Sequence, residues 1–239
     1  MSDSVHVSIV IPIYNEEGIL RSAVVDLHES LIPLGLRYEI LLAENGSRDG
    51  TLEVARELQA KYREVRFLSV NEPNYGKALR QGILAARGDI VICEEIDLCD
   101  VAFHERAIAL IDSGAAELVI GSKLIEGASD ERPLFRHATS IVYTTLLRLL
   151  LDFRGSDTHG LKAFRRATLE PIALACQTDK DVFASEFVIR AYRAGLRITE
   201  IPVRVMEKRP PSINLLKRVP NVLKSLGKLT WAVRGGGRL

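Results

Sequence analysis

The chain has 239 residues, 47% apolar and 26% charged, an ordinary globular composition that is long enough for one large α/β domain. A net charge of +1 gives no global argument for nucleic acid, so none is expected as a partner and any basic partner site must be local. Cys93, Cys99 and Cys176 form no CxxC pair, which fits reduced thiols in a cytoplasmic setting and leaves neither a disulfide nor a structural zinc to expect.

The opening MSDSVHVSIVIPIYNEE has no basic stretch followed by an apolar segment, so it reads as a strand rather than a signal peptide. Val7 to Ile13 is a continuous β-branched run, the pattern of a strand buried on both faces of a parallel sheet. From Glu16 to Leu34, apolar residues recur at three-to-four spacing and predict a covering helix. Glu39 to Ala43 is the second strand, residues 44–51 are turn chemistry, and Leu52 to Tyr62 is helical in period. Val65 to Val70 makes a strand, Gly76 to Ala86 a helix, and Asp89 to Cys93 a strand. This alternation predicts right-handed crossovers and one parallel sheet, with ligands bound beyond the carboxyl ends of its strands.

The second half continues with a strand at Val119 to Lys123, a polar stretch from Glu126 to Pro133 that reads as a mobile loop, and a helix from Arg136 to Leu151. Within it Ile141 to Leu151 is the most apolar stretch, but Arg148 interrupts it and it falls far short of the ~20 residues that span a bilayer. Then come a short strand at Leu161 to Phe164, a helix near Ser185 to Ala194 and a strand from Arg197 to Val205. With no repeat and no change of composition, residues 1–212 read as one catalytic domain and 213–239 as a basic amphipathic tail.

Three strand ends carry acidic residues: Glu16-Glu17, Glu44-Asn45 and Glu94-Glu95-Ile96-Asp97. Each alone fits a helix cap. Three at one sheet edge repel one another unless a cation or a donor-rich ligand lies between them, which points to a functional site.

These residues, together with Val10-Ile11-Pro12-Ile13-Tyr14-Asn15-Glu16-Glu17, Asn45-Gly46-Ser47-Arg48-Asp49-Gly50-Thr51, Gly88-Asp89, Gly121-Ser122-Lys123, Arg136 with Ser140, Asp157 with Gly160, Phe164-Arg165-Arg166 and Glu200-Ile201-Pro202-Val203, resemble the inverting family 2 glycosyltransferases. The likeness is to the branch that includes dolichyl-phosphate mannose synthase and the polyprenyl-phosphate glucosyltransferases. It covers almost the whole chain. It implies an α/β, A-type glycosyltransferase fold with a mainly parallel central sheet flanked by helices. It also implies transfer of a hexose from a GDP-mannose or UDP-glucose type donor to a polyprenyl or dolichyl phosphate.

By that resemblance, Pro12, Tyr14 and Glu16 border the nucleotide, and Ala43 and Asn45 close its pocket. Glu95-Ile96-Asp97 replaces an Asp-x-Asp, with Glu95 and Asp97 holding Mg2+ or Mn2+ on the donor diphosphate. Lys123 lies near donor phosphate or sugar, Arg136 and Ser140 contact the acceptor phosphate, and Arg209 is a cation on a loop closing over the donor.

Chemistry supports those roles. Two carboxylates and a divalent cation are a usual answer to a nucleotide diphosphate, and if the segment is extended Glu95 and Asp97 face the same way. Lys123 and Arg209 add charge stabilisation to the leaving group, and a guanidinium at Arg136 orients a phosphate. A phosphate acceptor is already ionised; a hydroxyl acceptor needs a base, for which Asp157 and Glu186 are candidates.

Three departures from the family pattern bear on the donor and on activity: Glu44-Asn45 for Asp-Asp, Glu95 for Asp, and a C-terminal basic loop reading Lys208-Arg209-Pro210-Pro211-Ser212. The alternatives are transfer to a hydroxyl of a glycan or glycolipid, and a nucleotide-sugar-binding relative without catalysis. Leu215 to Val233 mixes leucines, valines and Trp231 with Lys217, Arg218, Lys224 and Lys228, which fits a peripheral anchor on the cytoplasmic face of a membrane. Packing on the domain, or on a second copy in a homodimer, fits equally, because Pro220 and Gly227 interrupt the period.

Overall fold

The computed structural model describes residues 4–131, 134–180, 182–205 and 219–235, and of residues 130, 134–136 and 219–223 the backbone only. Its main sheet has seven strands: β1 (Val7–Ile13), β2 (Tyr38–Glu44), β3 (Val65–Ser69), β4 (Ile90–Cys93), β5 (Leu118–Ser122), β7 (Lys162–Arg165) and β8 (Ile198–Pro202), in the order β3-β2-β1-β4-β7-β5-β8. β6 (Ser129–Asp130) and β9 (Arg204–Val205) form a separate parallel pair. The helices are α1 (Glu17–Leu31), α2 (Thr51–Lys61), α3 (Tyr75–Ala85), α4 (Val101–Asp112), α5 (Leu134–Leu151), α6 (Arg166–Ala175), α7 (Phe183–Arg193) and α8 (Val219–Gly235).

All seven residues of β1 are buried, as its unbroken apolar run requires of a central strand. Side chains alternate between two cores. Ile9 and Ile11 join Leu20, Val24, Ile40, Leu42, Phe103 and Ile111 beneath α1, α2 and α4. Val10 joins Leu41, Leu79, Ile83, Phe164, Phe183 and Phe187 on the opposite face, under α3, α6 and α7. Leu147, Leu226, Leu229 and Val233 belong to this second cluster, so α8 packs on the domain through the apolar side of the segment read as a tail.

Several sequence expectations need correction. The sheet is mixed rather than wholly parallel: β7 runs antiparallel to both of its neighbours, β4 and β5. Its four residues carry no signal of direction, which is decided by where the chain re-enters the sheet. The polar stretch after Glu126 is not simply a loop, because Ser129 and Asp130 pair with Arg204 and Val205, and Arg204 binds Glu131 at 2.6 Å. α1 stops at Leu31, and Ile32–Leu34 is a 3-10 turn with Pro33 at its start and Gly35 closing it at φ 60°. α4 and α6 were not anticipated. α4 starts at Asp100, whose side chain accepts from Phe103 N at 2.9 Å, and it buries Phe103, Ala107, Ile108 and Ile111.

Candidate active site

β1, β2, β4 and β5 run parallel, so their carboxyl ends share one edge of the sheet. Antiparallel β7 brings its amino end to the same edge, and with it the loop holding Asp157 and Gly160. Gly160 is required by this approach: a Cβ there would overlap the carbonyl oxygen of Gly121. The Asp157 loop is tied down on three sides. Ser122 Oγ and Ser156 Oγ are 2.6 Å apart, Ser156 N donates to Glu200 Oε1 at 2.7 Å, and Thr144 Oγ1 of α5 donates to Ser156 O at 3.2 Å.

The loops after β1 and β2 are knitted to each other. Asn15, in the left-handed region at φ 54°, accepts from Arg48 N at 2.9 Å and donates its own N–H to Ser47 Oγ at 3.1 Å. Glu16 N donates to Thr51 Oγ1 at 2.7 Å, and Glu17 Oε2 accepts from Gly50 N at 3.0 Å. Pro12 and Ala43 are paired in register on β1 and β2, and both are buried. Ala43 is fully covered against Val70 and Ala78, so its side chain does not line an opening. Tyr14 is exposed at the strand end. Asn45 is buried, and its Oδ1 accepts from Asn74 N at 2.6 Å. Glu44 is also buried and accepts from Ser47 N and Ser69 Oγ. The second acidic cluster is therefore a bracket for backbone and hydroxyl donors.

The third cluster differs. The chain leaves β4 at Cys93 and turns rather than continuing extended: Leu98 N and Cys99 N both donate to Glu95 O, at 3.0 and 3.4 Å. Ile96 is buried and anchors the turn, while Glu95 and Asp97 are half-buried. Burial, with Asp97 and Glu94 nearby, pushes the Glu95 carboxyl up to about 7 even though Tyr75 Oη donates to its Oε1 at 2.6 Å. Two further carboxylates thus stand close to Glu95, with the buried Lys162 ammonium as a counter-charge. Beneath it, Glu94 is buried against His104 of α4, and Glu94 Oε1 and His104 Nδ1 have no hydrogen-bond partner among the described residues.

Lys123 Nζ donates to Asp157 Oδ2 at 2.6 Å, and both side chains are buried. Burial alone would raise Asp157, but the Lys123 ammonium and the N–H of His159 together hold it below the ordinary carboxylate value. Lys162, buried on β7, donates to Gly160 O at 2.6 Å, and desolvation depresses its pKa. Glu186 is not at the edge: it is fully buried on α7, where it accepts from Gln177 N and Thr178 N and binds Arg190 at 2.8 Å. That excludes it as a base on a bound acceptor. Ser140 lies half-buried on α5, about one turn from the Tyr143 and Thr144 contacts that dock the helix to residues 185 and 156. The side chain of Arg136 and all of Arg209 lie outside the described residues. No sequence motif marks Asn74 and Tyr75 at the head of α3, His104 on α4 or Lys162 on β7; these three elements are far apart in the chain, and only the fold brings them to this edge.

The carboxylates of Glu95 and Asp97 are hard oxygen donors of the kind Mg2+ or Mn2+ prefers, but the turn after Cys93 replaces the extended geometry that would face both the same way. Among the described residues no group of three or more His, Cys, Asp or Glu is gathered as a metal site. A cation here would complete its shell with oxygens of a bound diphosphate and water, as Mg2+ commonly does.

The fold is that of the A-type glycosyltransferases. Glucosyl-3-phosphoglycerate synthase from Mycobacterium tuberculosis, solved with Mn2+, UDP and phosphoglyceric acid, aligns with a TM-score of 0.61 at 20% identity, covering 98% of this chain and 80% of that one. TarS from S. aureus aligns at 0.62 and 15% identity, covering 98% and 67%. The glycosyl transferase family 2 profile matches residues 8–172, and the chain belongs to that family. Glycosyltransferase AglD of Haloferax volcanii is 30% identical over 95% of this chain, which covers 37% of AglD. ALG5A of Trichomonas vaginalis, a dolichyl-phosphate beta-glucosyltransferase, is 31% identical over 84% of this chain, which covers 65% of that protein. The dolichyl-phosphate beta-glucosyltransferase of Saccharomyces cerevisiae is 30% identical over 84%, with 67% of its length covered. The chain thus spans roughly a third to two thirds of the length of these relatives.

Proposed function

We propose that this chain transfers a hexose from a nucleotide-diphospho-sugar to a polyprenyl or dolichyl phosphate, with inversion and with help from Mg2+ or Mn2+. The observation that carries the choice of acceptor is the state of the two candidate bases. Asp157 is locked to Lys123 and Glu186 is buried away from the edge, so neither is free to deprotonate a hydroxyl. A phosphate monoester needs no base. The names of the yeast and Trichomonas relatives support the same acceptor, and among UDP-glucose and GDP-mannose they favour a glucosyl donor.

In this reading Glu95 and Asp97 hold the cation, and Tyr14, Pro12, Glu16 and Asn45 border the nucleotide pocket. The cation supplies Lewis-acid stabilisation of the departing diphosphate. Lys123, held in place by Asp157, sets a positive charge close to the same edge, and Arg209 adds a second from the C-terminal loop. Arg136 and Ser140 orient the acceptor phosphate, one of whose oxygens attacks the anomeric carbon. The bond from that carbon to the diphosphate breaks, and the nucleoside diphosphate leaves with the electron pair. Residues 1–212 carry this chemistry, while 213–239 form a tail beside a membrane that supplies the lipid. No helix among the described residues is long and apolar enough to cross a bilayer. Exposed Ile141, Val142 and Leu149 on α5 and Trp231 on α8, with Lys224, Lys228 and Arg234 around the latter, suit an anionic interface on the cytoplasmic side.

The test is an assay of the purified chain with labelled UDP-glucose or GDP-mannose, Mn2+, and either a polyprenyl phosphate or the corresponding polyprenol in detergent. Labelled lipid-phosphate hexose, lost in Asp97→Ala, is the expected product. Labelling of the polyprenol but not of the phosphate would overturn the assignment.

A further inference from the structure

Tyr75 heads α3 between two residues that are pinned to the loop before α7. Asn74 Nδ2 donates to Asp179 Oδ2 at 3.0 Å, and its Oδ1 accepts from Lys77 N at 3.0 Å and Lys180 N at 2.8 Å. Gly76 N donates to Lys180 O at 2.9 Å, and a Cβ on Gly76 would come within 2.7 Å of the Asp179 backbone. Residues 177 and 178 of that loop are held in turn by buried Glu186. The Tyr75 backbone is therefore fixed from both sides, and its hydroxyl reaches across to Glu95 Oε1 at 2.6 Å.

We propose that Tyr75 is a positioning residue for the cation carboxylates: its hydroxyl clamps one oxygen of Glu95 and leaves the other to the metal. A glutamate has one more rotatable bond than an aspartate and loses more side-chain entropy when ordered. A hydroxyl fixed by the strap from residues 177–180 removes that freedom before the cation arrives, so the longer carboxylate serves where a shorter one would need no clamp. Partners in the outer shell that orient a ligating carboxylate typically change metal affinity 10- to 100-fold. The inference rests on the metal-assisted reading above.

The experiment is a titration of the full chain with Mn2+ alone, followed through the electron paramagnetic resonance signal of the free ion. It compares wild type, Asp97→Ala, Tyr75→Phe, Glu95→Asp and the double variant Tyr75→Phe/Glu95→Asp. Tyr75→Phe is expected to weaken Mn2+ binding about tenfold or more with its melting temperature unchanged. In the Glu95→Asp background the shorter carboxylate withdraws from the hydroxyl, so Tyr75→Phe should add nothing. If wild type binds Mn2+ and Asp97→Ala does not, unchanged affinity in Tyr75→Phe overturns the positioning role alone. An equal loss in both backgrounds overturns it too, because the hydroxyl would then act other than through Glu95. If wild type binds no Mn2+, either alone or with UDP added, the metal reading fails and takes this inference with it.

Discussion

Lys123 and Asp157 are separated by 34 positions and meet at 2.6 Å in a buried pair, each compensating the other for leaving water, and the His159 N–H gives Asp157 a second donor at 2.8 Å. Truncating one partner leaves a buried charge unpaired: Lys123→Ala should cost about 3–5 kcal/mol in urea unfolding. The pair also sets a pH dependence. Because Asp157 is held below its ordinary value in the folded state, its contribution is complete above the unfolded value of about 4 and is lost as pH falls through the folded one. Replacing both residues by apolar ones, Lys123→Met with Asp157→Leu, should flatten the acid limb of the stability curve; an unchanged limb would show that other carboxylates carry it. At Gly160 the argument is steric. Gly160→Ala drives a Cβ into the Gly121 carbonyl and should lower stability by about 1–3 kcal/mol, read from the shift in denaturation midpoint.

At the scale of elements, the sheet edge is assembled from loops that satisfy one another before any ligand arrives. Asn15, Ser47, Asp49 and Thr51 join the first two βα loops, and Asn74 joins β2 to α3 and to residues 179–180. Glu186 is the far end of that chain of contacts. Glu186→Ala should therefore cost about 3 kcal/mol or more, since it strands Arg190 and two backbone N–H groups, and hydrogen exchange should quicken first at Gln177 and Thr178. The apolar strip on α5 makes a different prediction. Leu149 is 75% exposed and Trp231 71%, so replacing both with Glu should leave the melting temperature within a few degrees while reducing co-sedimentation with anionic vesicles. Equal sedimentation of the two proteins would remove α5 and α8 from the proposed membrane contact.

For the molecule as a whole, the sequence by itself determined the α/β class, the strands from Val7 to Cys93, the polar edge and the family. Those features are local: buried parallel strands need unbroken apolar runs, helices need their 3.6-residue period, and the βα turns carry their own capping chemistry. The identity of Glu95 and Asp97 as an acidic pair was legible for the same reason. Only the tertiary structure decided the direction of β7, because four residues between two turns encode no sense of travel, while pairing with β4 and β5 does. It also decided which acidic residues are available. Glu44, Asp157 and Glu186 look like Glu95 in a sequence, yet each has both carboxylate oxygens engaged by hydroxyl, backbone N–H, Lys or Arg donors, whereas Glu95 accepts from Tyr75 through one oxygen. Whether a carboxylate is a bracket or a ligand depends on what faces it across space, and no local pattern records that.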